Sequence, residues 1–367
     1  MTQALDIAVL PGDGIGREVM PACLALLAAA EPLTGGPALK CTSWPAGALH
    51  YRDHGEALPA ATLEAAGKAD AILFGAMGWP DIRYPDGTEP IPQLDLRMAF
   101  DLYAGVRPIR WFPGLPRVLA DARAEQVDFV LVREQTEGLF YARGRGRMEG
   151  DEAAYDTMQI TRKGTARVSE FAFALAERRR ERRGRATVTC VDKSNVFASL
   201  AFFRKVFDGV AKAHPAVGAD HAYVDAMALN MVKKPWALDV LVTENMFGDI
   251  LSDLGAGLIG GMGMAPSADL GDRHGLFQPA HGTAPDIAGQ GKANPSAMFL
   301  SAAMMLDWLA VRHSEPALER RARLIERALE IALRGGAVPL EIGGRAGLDE
   351  MTRATLDALP AARAELP

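Results

Sequence analysis

Short apolar runs alternate with longer amphipathic stretches along most of the chain, the pattern of an α/β protein. Residues 7–10 predict a strand, followed by a Gly-rich turn and a helix over 18–30. Residues 71–74 predict a second strand ending in glycine. Residues 129–132, 187–191 and 240–243 predict further strands, each running into a polar segment. In α/β sheets ligands collect at such strand ends. Residues 255–265 read as a close-packed helix and turn, and the Ala/Met-rich residues 296–309 as a buried helix. Residues 317–334 read as an amphipathic helix with an Arg-rich outer face. With no internal repeat and no low-complexity linker, the domains are expected to be interleaved rather than strung together.

Composition narrows the picture. The 367 residues are enough for about two domains, and 49% are apolar. Forty basic and forty-six acidic residues give a net charge of −6, which argues against nucleic acid as a partner. The three cysteines, Cys23, Cys41 and Cys190, form no Cys-x-x-Cys pair, so neither a disulfide framework nor a zinc knuckle is expected. The start, Met1-Thr2-Gln3-Ala4-Leu5-Asp6, lacks the basic n-region and long h-region of a signal peptide, and no apolar run is long enough to span a bilayer. The expectation is a cytoplasmic protein with no membrane partner.

Several segments carry possible chemistry. In Pro11-Gly12-Asp13-Gly14-Ile15-Gly16 the glycines fall at every second position, not as G-x-G-x-x-G. The segment at 39–42 also lacks the acid that a Rossmann ribose site needs, so a tight turn touching a ligand by its backbone is the better reading. Asp249 and Asp253 are spaced i, i+4 after a strand, on one helix face. With Asp225 they offer hard oxygen ligands for Mg²⁺ or Mn²⁺; equally, Asp249 caps the helix and Asp253 is solvated. Lys193, at a strand end, is either a base of lowered pKa or a surface lysine paired with Asp192. Arg97, Arg107 and Arg133 are either forks for carboxylates or structural ion pairs. The loop from His281 to Gly289, followed by Asn294-Pro295, admits close approach of a flat or phosphorylated ligand, or is plain surface. Arg178, Arg179, Arg180, Arg182, Arg183 and Arg185 read as a solvated face closing a helix, and Arg143-Gly144-Arg145-Gly146-Arg147 as a hairpin or arm.

The order of these motifs along one chain resembles the isocitrate/isopropylmalate dehydrogenase family. The resemblance is carried by the 10–16 turn, the Arg97/Arg107 pair, Arg133-Glu134-Gln135-Thr136-Glu137-Gly138, Asp192-Lys193-Ser194-Asn195, Gly248-Asp249-Ile250-Leu251-Ser252-Asp253 and His281-Gly282-Thr283-Ala284-Pro285-Asp286. It runs from Ile7 to about Leu359. It implies an isopropylmalate dehydrogenase-like, two-domain, non-Rossmann α/β fold with interleaved domains. Residues 1–102 plus 260–367 would form the cofactor-binding domain, and residues 103–259 the substrate, metal and dimerisation domain.

The resemblance further implies a homodimer with shared active sites and an NAD- and Mg²⁺- or Mn²⁺-dependent oxidation of a hydroxy acid. Lys193, Asp225 and Tyr141 are the expected catalytic residues. Arg97, Arg107, Arg133, Gln93 and Leu94 would bind substrate, and Asp225, Asp249 and Asp253 the metal. Ile15, Asn195, Gln278, His281, Gly282, Ala284, Asp286 and Asn294 would bind NAD. Asp286 stands where NADP-using relatives carry a lysine, and its charge would repel a 2′-phosphate.

Departures touch substrate and chemistry. Phe140 occupies the position of the family's tyrosine, with Tyr141 next. Gln278 replaces a glutamate. The loop Pro90-Ile91-Pro92-Gln93-Leu94 lacks both the glutamate typical of isopropylmalate enzymes and the serine and asparagine expected for isocitrate. The leading expectation is oxidative decarboxylation of a 3-substituted (2R)-malate such as 3-isopropylmalate. The alternatives are a D-malate/tartrate-type enzyme, a non-decarboxylating 2-hydroxy acid dehydrogenase, and a catalytically weak regulatory or structural homologue.

Overall fold

The protein is described by a computed structural model over residues 4–366. Met1–Gln3, part of the segment read above as lacking a leader, lie outside the described residues, as do Pro367 and the side chain of Arg182. The strands are β1 (Leu5–Gly12), β2 (Leu39–Ser43), β3 (Ala71–Ala76), β4 (Ala104–Arg110), β5 (Asp128–Glu134), β6 (Arg147–Glu149), β7 (Ala153–Tyr155), β8 (Thr187–Asp192), β9 (Gly218–Tyr223), β10 (Val240–Thr243), β11 (Pro266–Leu270) and β12 (Gly275–Pro279). The helices are α1 (Gly16–Thr34), α2 (Ala48–His54), α3 (Ala60–Lys68), α4 (Pro92–Ala99), α5 (Arg162–Arg183), α6 (Ala198–Ala211), α7 (Val224–Lys233), α8 (Asn245–Leu258), α9 (Ser296–His313), α10 (Pro316–Arg334) and α11 (Leu348–Glu365).

Among the described residues, ten strands form one sheet in the order β2-β1-β3-β12-β11-β4-β5-β10-β8-β9, and β6 pairs with β7 in a hairpin that begins at Arg147, so residues 143–146 of the segment read as a hairpin or arm precede it. Strands β3, β10 and β12 are buried at every position, as continuous apolar runs require when both sheet faces are covered. The sheet ends on β2 and β9, whose side chains are mostly exposed. The outer strands pair in parallel, with crossovers such as β1–α1–β2 and β8–α6–β9, whereas β12, β11, β4 and β5 run antiparallel to one another. That antiparallel centre is incompatible with a doubly wound dinucleotide fold.

The first Gly-rich turn is shaped by backbone packing. Gly12 and Gly14 have φ of +77° and +50°, and a Cβ on Gly14 would stand 2.1 Å from the Thr283 carbonyl oxygen. Ile15 N–H donates to that oxygen at 2.9 Å, locking the turn to the loop after β12. Asp13, fully buried, accepts from the N–H groups of Ala48, Leu49 and Gly78, satisfying the start of α2.

Two charged faces differ from their sequence reading. On α10, Arg321 is fully buried and donates to Thr34 Oγ1, to the Gly35 and Pro37 carbonyls, and to Glu31. It closes the α1–β2 turn, so the face is not wholly outer. At the end of α5 the arginines are not one solvated face either. Arg179 and Arg183 turn inward to Asp128, Arg179 also reaches Asp239, and Arg185 donates to the Trp236 and Leu238 carbonyls. Strand-end carboxylates and carbonyls beneath the helix supply the counter-charge. Among the described residues no helix is long and apolar enough to cross a membrane.

Candidate active site

The antiparallel centre of the sheet sets the site. Register aligns Asp269 of β11 with Gly105 of β4, and Gly105 with Arg133 of β5; on the other side Ser267 of β11 faces Gln278 of β12. Directly paired residues share a sheet face, as do residues two apart. Gln278, Ser267, Asp269, Arg107 and Arg133 therefore all rise from one face. Gly105 leaves the space that the Gln135 amide fills, since a Cβ there would lie 2.0 Å from Gln135 Nε2.

Asp269 is the hub. Fully buried, it accepts from Arg97 Nε at 2.8 Å, Arg107 Nη1 and Nη2 at 3.1 Å, Gln135 Nε2 at 3.0 Å and Gln278 Nε2 at 2.9 Å. Burial pushes its carboxyl up, but Arg97 and Arg107, with these hydrogen bonds, outweigh it and hold the group at about 2. Sequence reasoning missed Asp269; the available signal was a lone acid inside the apolar run 264–270.

Helix α8 covers the same face. Its N-cap is Glu244, which accepts from Met246 and Phe247 N–H, so Asp249 is not the cap. Gly248 lets the helix lie on Arg133, whose Cγ is 2.6 Å from where a Cβ would stand. Arg133 then donates Nε and Nη2 to Asn245 Oδ1, at 2.9 and 2.7 Å, and Nη1 to Asp249. Burial, then the neighbouring Arg97 charge, pulls this guanidinium down to about 10. Burial and the charge of Asp249 push the Asp253 carboxyl up.

These groups line a cavity of about 260 Å³. Arg97, Arg107 and Arg133 meet Asp249 and Asp253 there, together with Gln93 and Leu94 from α4, Phe140, and Gln278, His281 and Gly282 from β12 and its loop. Three buried polar atoms at its wall have no partner among the described residues: Gln93 Oε1, Ser267 Oγ and His281 Nε2. His281 Nδ1 faces the Gly282 carbonyl at 2.9 Å, which places the proton there and leaves Nε2 as an acceptor; burial lowers the pKa of this ring. Unmet polar atoms around a concave, charged space are the mark of a ligand site.

The remaining expected residues lie outside this lining. Lys193 Nζ donates to Asp225 Oδ1 at 2.7 Å, so these two pair with each other and not with Asp192, which binds Arg204. Asn195 is exposed on the loop after Lys193. Tyr141 sits in a 3-10 turn, with Arg145 4.1 Å from its ring centroid. The Ile15 side chain is core. Ala284 has φ +39°, Asp286 is exposed, and Asn294 is buried, donating to Glu341.

Comparison with known proteins defines the class. The chain superposes on isocitrate dehydrogenase from Methylococcus capsulatus with a TM-score of 0.84 and 35% identity, covering 98% of this chain and 99% of that one. The fold is thus isocitrate dehydrogenase-like, an α/β architecture organised around a large central sheet. In sequence it is 41% identical over 352 residues to the 3-isopropylmalate/3-methylmalate dehydrogenase of Methanocaldococcus jannaschii, covering 94% of this chain and 96% of that protein. It is 39% identical to the homoisocitrate dehydrogenase of the same organism, covering 93% of each. Residues 6–357 match the family described as Isocitrate/isopropylmalate dehydrogenase, and the chain belongs to that family of hydroxy-acid dehydrogenases.

Proposed function

We propose that this enzyme oxidises, with loss of CO₂, a 3-substituted (2R)-malate such as 3-isopropylmalate, using NAD and Mg²⁺ or Mn²⁺. The observation that carries the reading is the cavity in which three arginines face two carboxylates one helical turn apart. Its donor set fits a hard divalent cation. Asp249 and Asp253 raise each other's need for a counter-charge, and Asp225 of the partner subunit would complete the ligands. The orphaned Gln93, Ser267 and His281 atoms, and the open space beside the Gly282 Cα, fit organic ligands reaching the same wall. Asp286 would bind the adenosine ribose and disfavour NADP. When bound, NAD accepts hydride and the cation polarises the oxygen at C2.

The protein's own groups do the rest. Arg97, whose Nη groups have no protein partner among the described residues, orients a substrate carboxylate, while Arg107 and Arg133, held by Asp269 and by Asn245 and Asp249, supply positive charge to the same wall. The partner subunit's Lys193, held by its Asp225, takes the hydroxyl proton as C2 is oxidised. Exposed Leu229 and Val232 on α7 and Ile250 on α8, the helices that carry Asp225 and Asp249, support a homodimer with shared sites. The division into residues 1–102 plus 260–367 and residues 103–259 would place its seam between β11 and β4.

A second reading, oxidation without efficient decarboxylation, is favoured by one observation. Phe140, which has no proton to give the enolate left by CO₂ departure, lines the cavity, and Tyr141 does not. NADH and CO₂ formation measured in parallel over a malate-analogue panel tests both. Equal NADH and CO₂ favours the first reading, NADH without CO₂ the second, and no NADH from any analogue overturns both.

A further inference from the structure

The three arginines of the cavity are not free cations. Arg107 gives both Nη groups to Asp269 and adds the Val106 and Ala268 carbonyls. Arg133 is spent on Asn245 and Asp249. Arg97 gives only Nε to Asp269 among the described residues, leaving both Nη groups for a ligand. Three guanidiniums thus stand against three carboxylates, Asp249, Asp253 and Asp269, and the side chains of the site balance in charge. A divalent cation would make it +2, the complement of a substrate dianion. A third substrate carboxylate would find the Arg107 fork already holding a carboxylate of the protein.

We propose that Asp269 is a specificity-determining, positioning residue: by filling the Arg107 fork and cancelling one cationic charge, it restricts the cavity to dicarboxylates and rejects tricarboxylates. This rests on the reading of the cavity as the hydroxy-acid site. It acts through Arg97 and Arg107 and touches no reacting atom. One unit charge about 6 Å away, at the effective dielectric of a protein site, is worth roughly a ten- to hundredfold change in affinity per extra ligand charge.

The test is equilibrium binding, which needs no turnover. Full-length protein with saturating Mg²⁺ is titrated calorimetrically with (R)-malate and with tricarballylate, a trianion. The wild type should prefer malate, and Asp269→Asn should shift the ratio of affinities at least tenfold toward tricarballylate. Adding Gln278→Glu to that variant should restore the preference by returning a carboxylate to the same guanidiniums. An unchanged ratio, or equal loss of both ligands, overturns the proposal while leaving the substrate reading standing. A wild type that binds neither ligand overturns both. If Asp269→Asn does not fold, Gln278→Glu alone adds a second carboxylate beside Asp269 and should weaken tricarballylate roughly tenfold more than malate. Equal weakening of the two overturns the proposal.

Discussion

The Phe140 ring packs against the Arg133 guanidinium, 5.1 Å from its central carbon to the ring centroid, while the next side chain, Tyr141, packs against Arg145. The turn at 139–142 therefore presents an apolar ring to the cavity and keeps the phenol out of its lining. A positioned general acid contributes roughly 10²–10⁴-fold. Phe140→Tyr is expected to speed CO₂ release from a malate analogue relative to NADH formation, and Tyr141→Phe to leave the ratio unchanged. Quantitative CO₂ release by the native enzyme, insensitive to both substitutions, would show that this account of the acid is wrong.

Activity is expected to vanish in excess chelator, return with Mg²⁺ or Mn²⁺, and be far greater with NAD⁺ than with NADP⁺. The grounds are the Asp249–Asp253 pair and the carboxylate of Asp286. Asp286→Lys should narrow the cofactor preference; equal rates with both cofactors in the native enzyme would contradict the assignment of Asp286.

Because Lys193 and Asp225 pair with each other outside the cavity lining of their own chain, mixed dimers discriminate the shared-site proposal. Lys193→Ala and Asp249→Ala homodimers should each be inactive. A verified heterodimer of the two should recover activity, since one of its sites then contains every native residue. Heterodimers as inactive as their parents would remove the support for a shared site.

Asp269 also shapes acid stability. Its folded pKa of about 2 lies below the ordinary carboxylate value, so its contribution is fully present above about pH 4 and is lost as pH falls toward 2. The linked stabilisation is roughly 2–3 kcal/mol. In urea titrations at stepped pH, Asp269→Asn should flatten the stability decline between pH 4 and 2; an unchanged slope would mean that the ion pairs are not retained as drawn.

Arg321→Ala should destabilise the fold by roughly 3 kcal/mol, by stranding the Gly35 and Pro37 carbonyls and removing the cationic partner of Glu31. The urea midpoint measures this. A shift like that of an exposed substitution, within about 0.5 kcal/mol, would contradict its placement.

What the sequence determined by itself is what short-range periodicity carries. The strand over 240–243 follows from a short apolar run, and the helix after it and the common face of Asp249 and Asp253 from a period of 3.6 residues within a few turns. The order of the motifs was enough to place the family. Tertiary structure alone decided the partners of the charges. Whether Arg97 and Arg107 meet a ligand or a protein carboxylate depends on Asp269, more than 160 residues away in the chain. Asp269 reaches them only because β11 is inserted antiparallel between β4 and β12. The same holds for Arg321, whose partners on the α1–β2 turn lie more than 280 residues away. A charge in an apolar stretch shows that some partner must exist, since burying it alone costs too much. Sheet order and helix packing, set by contacts across the whole chain, determine which partner it is.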